Sequence, residues 1–349
     1  MFLVSNGFSI GGLKITFYAI CILLGAICAY KLSQLFLKKR GYDPEAIENL
    51  FYIAFPAGIV GARIWYVIAT WADEFADRPF YKVFYIWEGG LAIQGGVILG
   101  IIAGVIFMIL RRPNIPVLLA TDCIVPTILV AQGIGRWGNF FNQEVYGKCV
   151  DSKYWSWLPD FIEERFTYAV QKDNGWITGW AMNGDTRAYL CQEGQLAEPL
   201  FLIESLINIG GFLLIAIAIP KLFKYIASKT NNRVSLANGD LMCLYVIWYG
   251  VVRAIMEPLR DPQFIMGDFA SKYMAYVFIA VGIIGIVLCH LYKNLWQKKK
   301  PILDTNVIPG SEAADEAVNI SEVAKEEKAD TEITEPSCED ENNHEPDDK

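Results

Sequence analysis

The chain has 349 residues, 54% of them apolar, with a mean hydropathy of +0.30. That is too apolar for a soluble domain of this length and indicates a membrane protein. The net charge of −8 comes from a tail: residues 301–349 hold sixteen Asp and Glu against three Lys, which leaves residues 1–300 at +5.

A spanning helix needs about 20 mostly apolar residues, and seven segments qualify: 15–37, 50–71, 90–110, 117–137, 200–219, 241–259 and 273–296. The N-terminus lacks a basic region and a cleavage site, so the first segment reads as a retained helix rather than a signal peptide. Within the third segment Gly96, Gly100 and Gly104 recur every four residues, a spacing that lets helix backbones approach. Thirteen Lys and Arg fall in short loops on one side, from Lys38 to Lys300. The other side has five: Lys14, Arg78, Lys82, Arg260 and Lys272. The richer side is expected to be cytoplasmic, giving an all-α, seven-span membrane protein with its N-terminus outside and its C-terminus inside.

Four regions follow. Residues 1–144 carry helices one to four, 145–198 form an external loop, 199–297 carry helices five to seven, and 298–349 are a cytoplasmic acidic tail. The tail is too poor in large apolar residues to offset chain entropy and is expected to be disordered. The external loop has ten aromatics and reads either as a small cap with its own core or as a docking lid. Its Cys149 and Cys191 are candidates for a disulfide; the remaining cysteines are scattered, no CxxC occurs, and the only histidines are His290 and His344, so no metal site is expected.

The polar residues inside the apolar segments carry the chemistry. The run Gly133 to Gly147 reads GIGRWGNFFNQEVYG. Its GxGxxG lies at the end of an apolar helix rather than after a strand, which excludes a dinucleotide turn. Given the topology, Tyr18, Arg63, Gln94, Arg136, Asn139, Asn142, Tyr249, Arg253 and Glu257 all reach one level, in the outer half of the membrane. Intramembrane charges usually face a cavity, and three arginines against Glu144 and Glu257 leave the set positive and in want of an anion. Individual members have simpler readings: Arg253 and Glu257 stand i, i+4 and can pair, and Arg63 or Arg136 can snorkel to the headgroups. Pro258 disfavours helical geometry at Glu257. Arginine forks and amides at this depth fit a phospholipid head group.

The residues 135–147, GRWGNFFNQEVYG, resemble GRIGNFINGELWG, the signature of the prolipoprotein diacylglyceryl transferases, matching at Gly135, Arg136, Gly138, Asn139, Phe140, Asn142, Glu144 and Gly147. A YGxxRxxxE pattern at Tyr249, Gly250, Arg253 and Glu257, followed by Arg260 and Pro262, resembles the family too, as do Gly61 with Arg63, Asp122, and Tyr18. The resemblance, over about residues 10–297, implies transfer of the diacylglyceryl group of phosphatidylglycerol to the lipobox cysteine thiol of a prolipoprotein, in a bacterial plasma membrane, with a thioether formed and glycerol phosphate released. The nucleophile belongs to the substrate, and no cofactor, metal or nucleic acid is required. Arg136 and Arg253 would stabilise charge on the leaving phosphate. Asn139, Asn142, Tyr249, Tyr18, Gln94 and Arg63 would line the lipid site. Glu144 and Glu257 would accept a proton or hold an arginine. One departure stands out: where the family has a histidine in a GGxxxHGG segment, residues 89–96 read GGLAIQGG, and Gln94 cannot take a proton. A non-catalytic member, an anionic-lipid carrier, and a binding module presenting the external loop are the competing readings. No internal repeat of the kind that carriers show is visible.

Overall fold

The computed structural model describes residues 7–10, 13–86, 89–111, 115–170, 187–230, 234–261 and 268–296. The acidic tail, Trp176 and Trp180 lie outside them. Among the described residues, seven helical segments are long and apolar enough to cross a membrane: Phe17–Lys39, Glu45–Ala69, Ile93–Leu110, Val117–Asn142, Leu200–Lys229, Asp240–Leu259 and Tyr273–Lys293.

A hairpin of β1 (Gly7–Ile10) and β2 (Leu13–Thr16) leads into α1 (Phe17–Lys39), whose first turn is capped by the Thr16 hydroxyl accepting from the Ala19 N–H at 3.3 Å. Helix α2 (Glu45–Ala69) packs along α3 (Ile93–Arg111). Their tightest approach is not at the Gly96 repeat but at Gly61 and Gly95, where a Cβ on either would lie 2.4 Å or 2.2 Å from the other's carbonyl oxygen. Only glycine permits that crossing.

The fourth span is three pieces, α4 (Val117–Ile124), a 3₁₀ turn at Val125–Thr127, and α5 (Ile128–Asn142), because Pro126 cannot continue the α ladder. It runs five residues beyond the expected end at 137, so Asn139 and Asn142 stand on the helix itself. The fifth span, α7 (Leu200–Phe212), passes through a π-helical stretch at Leu213–Ala218 into α8 (Ile219–Lys229), ten residues longer than expected. Two further helices, α9 (Asp240–Met256) and α10 (Asp268–Trp296), pack antiparallel. Helix α5 lies between α1 and α7, and Leu129, Phe212, Ile215 and Leu241 form the core where α5, the fifth span and α9 meet. The outward faces of the spans remain apolar and exposed, as a surface solvated by acyl chains requires.

The segment after α5 is a cap: β3 (Cys149–Asp151) pairs with β6 (Gln195–Ala197), α6 (Asp160–Thr167) follows, and β4 (Tyr168–Val170) pairs with β5 (Arg187–Tyr189). Cys149 and Cys191 form a disulfide. The cap's core is not its own, because Leu158, Ile162, Phe166 and Leu196 pack on Phe140 of α5 and Phe201 of α7. One end of the bundle is thus tied to the cap.

Candidate active site

Helix α5 carries the signature residues on its last two turns and stops at Gln143, which adopts the left-handed conformation at φ 53°. The next turn brings the chain back so that Glu144 Oε1 accepts from Asn139 Nδ2 at 3.1 Å and Asn142 Nδ2 at 3.3 Å. Asn139 Oδ1 in turn accepts from Arg136 Nη1 at 3.4 Å. Val145, β-branched, also sits at positive φ, 59°. A left-handed backbone at a β-branched residue is strained, and here it directly follows Glu144. The Tyr18 ring lies on Gly138, where a Cβ would come 2.6 Å from Tyr18 Cδ2. That contact brings α1 into the site.

Arg136 is the first member of a chain of ion pairs. Its Nε contacts Glu204 Oε2 on α7, and Glu204 Oε1 accepts from Arg260 Nη2 at 3.0 Å. Arg260 Nη1 lies 3.4 Å from Glu257 Oε2, which lies 3.1 Å from Arg253 Nη2. Three arginines and two carboxylates leave one net positive charge. The middle of the chain is closed off: the side chains of Glu204, Arg260 and Glu257 are 3%, 7% and 4% exposed, whereas those of the terminal Arg136 and Arg253 are 27% and 22% exposed. Glu257 Oε1 is buried with no hydrogen-bond partner among the described residues, and a buried lone oxygen of this kind points to a missing donor.

The local geometry differs from expectation at Pro258. Glu257 keeps helical angles, φ −60° and ψ −43°, and α9 tightens into a 3₁₀ turn at Glu257–Leu259. The ion pairs to Arg253 and Arg260 hold Glu257 against the preference imposed by the proline.

The expected residues divide. Arg136, Asn139, Asn142, Glu144, Arg253 and Glu257 lie in the two polar chains, and Tyr18 packs against the first. Tyr249 stacks on Tyr245 at 6.3 Å and meets Phe278 edge-on at 5.2 Å, one turn from Arg253. Arg63 does something else. It donates to the carbonyls of Lys82 at 3.0 Å, Val83 at 2.7 Å, Gly89 at 2.7 Å and Gly90 at 3.0 Å, holding the loop between α2 and α3. Gln94 is exposed in the first turn of α3, a helix that packs along α2 rather than α5.

Two members were missed in the sequence. Glu204 stands in the apolar run LFLIESLINIGG, where an isolated carboxylate is itself a signal. Arg260, whose position in the sequence places it among the loop cations, is buried in the chain instead. A third coupling ties the cap to α5: Arg165 Nε donates to the Phe140 carbonyl at 3.0 Å and Nη2 to that of Phe141, while Gln143 Nε2 donates to the carbonyls of Arg165 at 2.5 Å and Tyr168 at 2.8 Å. Burial pushes the Arg165 guanidinium down, to about 8; its bonds to carbonyls at a helix C-terminus favour the charged form and act the other way. Burial also pushes Glu198, beside Gly147, above the usual carboxylate range.

Asp122 lies at the opposite end of the bundle. It accepts from the N–H groups of Gly239 at 2.7 Å and Met242 at 2.9 Å, capping the N-terminus of α9. His290 pairs there with Asp240 at 3.0 Å. Arg253 is thirteen residues further along α9, roughly 20 Å at 1.5 Å per residue.

The model of the prolipoprotein diacylglyceryl transferase family matches residues 6–288. Phosphatidylglycerol–prolipoprotein diacylglyceryl transferases are among the chain's relatives. That of Streptococcus suis is 36% identical over 282 residues, 80% of this chain and 90% of the relative. That of Streptococcus pneumoniae is 34% identical over 293 residues, 84% and 94%, and that of Streptococcus equi subsp. zooepidemicus 32% over 289, 82% and 96%. With the family model covering most of the chain and relatives above 30% identity matched over nearly their full length, the chain belongs to the prolipoprotein diacylglyceryl transferase family.

Proposed function

We propose that the Arg136–Glu204–Arg260–Glu257–Arg253 chain receives the phosphate of phosphatidylglycerol, and that the protein transfers the diacylglyceryl group of that lipid to the lipobox cysteine of a prolipoprotein at its signal peptide. Membership of the family makes the chain a transferase. The observation that carries the site assignment is the pattern of exposure. The two terminal arginines keep accessible edges while the buried interior holds them in place.

The step is a displacement at an sp3 carbon. The substrate sulfur forms a bond to the glycerol carbon, the carbon–oxygen bond to phosphate breaks, and its electron pair passes to the phosphate oxygen. Charge grows on that phosphate, where guanidinium groups already in position stabilise it without reorganising. Arg136 and Arg253 supply this stabilisation. Asn139, Asn142 and Tyr249 orient the head group, and the unpartnered Glu257 Oε1 is an acceptor for one of its hydroxyls.

A substrate thiol has a pKa of ~8.5 and is only a few per cent ionised at neutral pH. Glu204 and Glu257 are each occupied by two arginines. Among the described residues, Glu144 accepts only from the neutral amides of Asn139 and Asn142. We assign the thiol proton to Glu144. No histidine is needed, in keeping with Gln94 and with His290 paired at the far end of α9.

The disulfide supports a cap on the oxidising, external face of the bacterial plasma membrane, with the basic ends of α1, α8 and α10 inside. The test is to follow thioether product by mass spectrometry, using the full-length protein in phosphatidylglycerol bilayers with a lipobox peptide. Wild type should form product and Arg136→Ala should not. Lipid movement without thioether would favour a carrier, and no product from wild type would overturn the enzyme reading.

A further inference from the structure

A second polar layer lies one helical turn beneath the proposed phosphate site, further from the cap. On α5, Gln132 stands four residues before Arg136, and on α9, Tyr245 stands four before Tyr249. On α7, which runs the other way, the buried Asn208 stands four beyond Glu204. Packing brings the three to one level. Gln132 Nε2 donates to Tyr245 Oη at 3.0 Å, and Gly133, next to Gln132, packs on Ser205 and Ile209 of α7. The Tyr245 ring stacks on Tyr249, which lies within electrostatic range of Arg136.

This layer has hydrogen-bonding capacity left over. Tyr245 Oη accepts from Gln132, so its own proton has no acceptor among the described residues. Both side chains are half-buried rather than sealed. The Ser33–Thr127 pair, still further from the cap, is the contrast. Its two hydroxyls meet at 3.0 Å, are 2% and 0% exposed, and also reach the carbonyls of Ala29 and Ile124 at 2.7 Å each. That pair joins two helices and is complete in itself. Tyr245 instead keeps a donor at a depth poor in water, where an unpaired hydroxyl is costly.

A phospholipid supplies the acceptor. With its phosphate at Arg136 and Arg253, its acyl chains run away from the cap into the apolar depth of the spans. The carbonyl carbon of an ester on the neighbouring glycerol carbon lies five bonds from phosphorus, a reach of ~6 Å at the spacing of an extended chain. One helical turn is about 5.4 Å. Tyr245 therefore meets the lipid at its ester linkages. Resting on the phosphate assignment above, we propose that Gln132 and Tyr245 form the ester-binding floor of the site. The Tyr245 hydroxyl, oriented by Gln132, donates to an acyl ester carbonyl of phosphatidylglycerol, and the enzyme thereby selects ester-linked over ether-linked lipid.

The test compares dioleoylphosphatidylglycerol with its di-O-oleyl ether analogue, in which each carbonyl is a methylene, as donors to a lipobox peptide with the full-length protein in detergent micelles. Losing the acceptor leaves the Tyr245 hydroxyl unpaired, so wild type should use the diester with about tenfold higher kcat/KM. The ester is unchanged from substrate to product, which puts the effect in KM rather than kcat. Tyr245→Phe should raise KM for the diester to that for the diether and bring the ratio of the two to about one. A purely structural Gln132–Tyr245 bond would slow both lipids alike and keep the ratio, which would overturn the proposal, as would a wild-type ratio of about one. If Tyr245→Phe does not fold, Gln132→Met, which removes the orienting donor, should cut the ratio below about threefold; an unchanged ratio overturns the proposal in the same way. No product from wild type with either lipid overturns the transferase reading instead. The diester preference is then read from lipid retained in native mass spectrometry, where its loss in Tyr245→Phe is the expected result and its persistence overturns the proposal.

Discussion

Glu204 and Arg260, 56 residues apart in sequence, meet at 3.0 Å in a place where neither side chain is more than 7% exposed. Breaking a buried pair by removing one partner typically costs about 3–5 kcal/mol, because the other charge is left without compensation. Glu204 serves two partners, so Glu204→Gln would leave Arg136 and Arg260 facing each other across a neutral amide. Thermal unfolding in detergent should show a lowered midpoint, and transfer should fall with it. Glu204→Asp, which keeps the charge, should recover more stability than Glu204→Gln; equal stability of the two would argue against a charge role.

At Arg136 the expectation concerns geometry. Arg136→Lys keeps the charge and loses the planar fork. Removing one well-placed donor from a developing anion slows reactions by about 10²–10³. Single-turnover rates should fall by that order with little change in phosphatidylglycerol affinity, and a rate within a factor of three of wild type would remove Arg136 from the leaving-group site.

Glu144 makes a prediction in pH. If it takes the thiol proton, Glu144→Gln should be folded and slow at pH 7, and its residual rate should rise as pH climbs through ~8.5, where the substrate thiol ionises by itself. Wild type should be flatter over the same range. Parallel profiles for the two proteins would assign the proton elsewhere.

For Gln94 the expectation is a small effect. Exposed on α3 and without a titrating role, Gln94→His should change turnover by less than about tenfold, and the wild-type rate should show no step at a histidine-like pKa of ~6.5. A gain of orders of magnitude would mean that a base at this position matters for the reaction.

The disulfide closes a stretch with a sequence separation of 42, and a loop of that length contributes about 4 kcal/mol by restricting the unfolded chain. Cys149→Ser should loosen the cap while the spans persist. Hydrogen exchange should rise first in the amides of α6 and of β3 with β6, and then in those of the last turn of α5, whose Phe140 and Phe141 carbonyls Arg165 holds.

Much of this site was legible before folding because membrane insertion is a local problem. Arg136, Asn139 and Asn142 announce themselves as polar groups at the end of an apolar segment, and Arg253 with Glu257 by their helical spacing. Arg63 did not reveal its use. Whether a guanidinium turns to a headgroup or to four carbonyls depends on where the loop after Trp71 folds back, and nothing in the composition of that loop decides it. Glu204 is not legible in the sequence for a related reason: its meaning lies in a partner on another helix.

The number and approximate limits of the spans and the family signature were determined by the sequence alone. Each rests on runs of about 20 residues or on a contiguous motif. The tertiary structure decided which charge meets which. The contact of α7 with α5, where the Ser205 hydroxyl donates to the Gly133 carbonyl at 2.9 Å, sets Glu204 beside Arg136, and the return of the chain after α9 brings Arg260 to its other oxygen. Pairings between distant segments follow from how helix faces pack, and hydropathy carries no information about that.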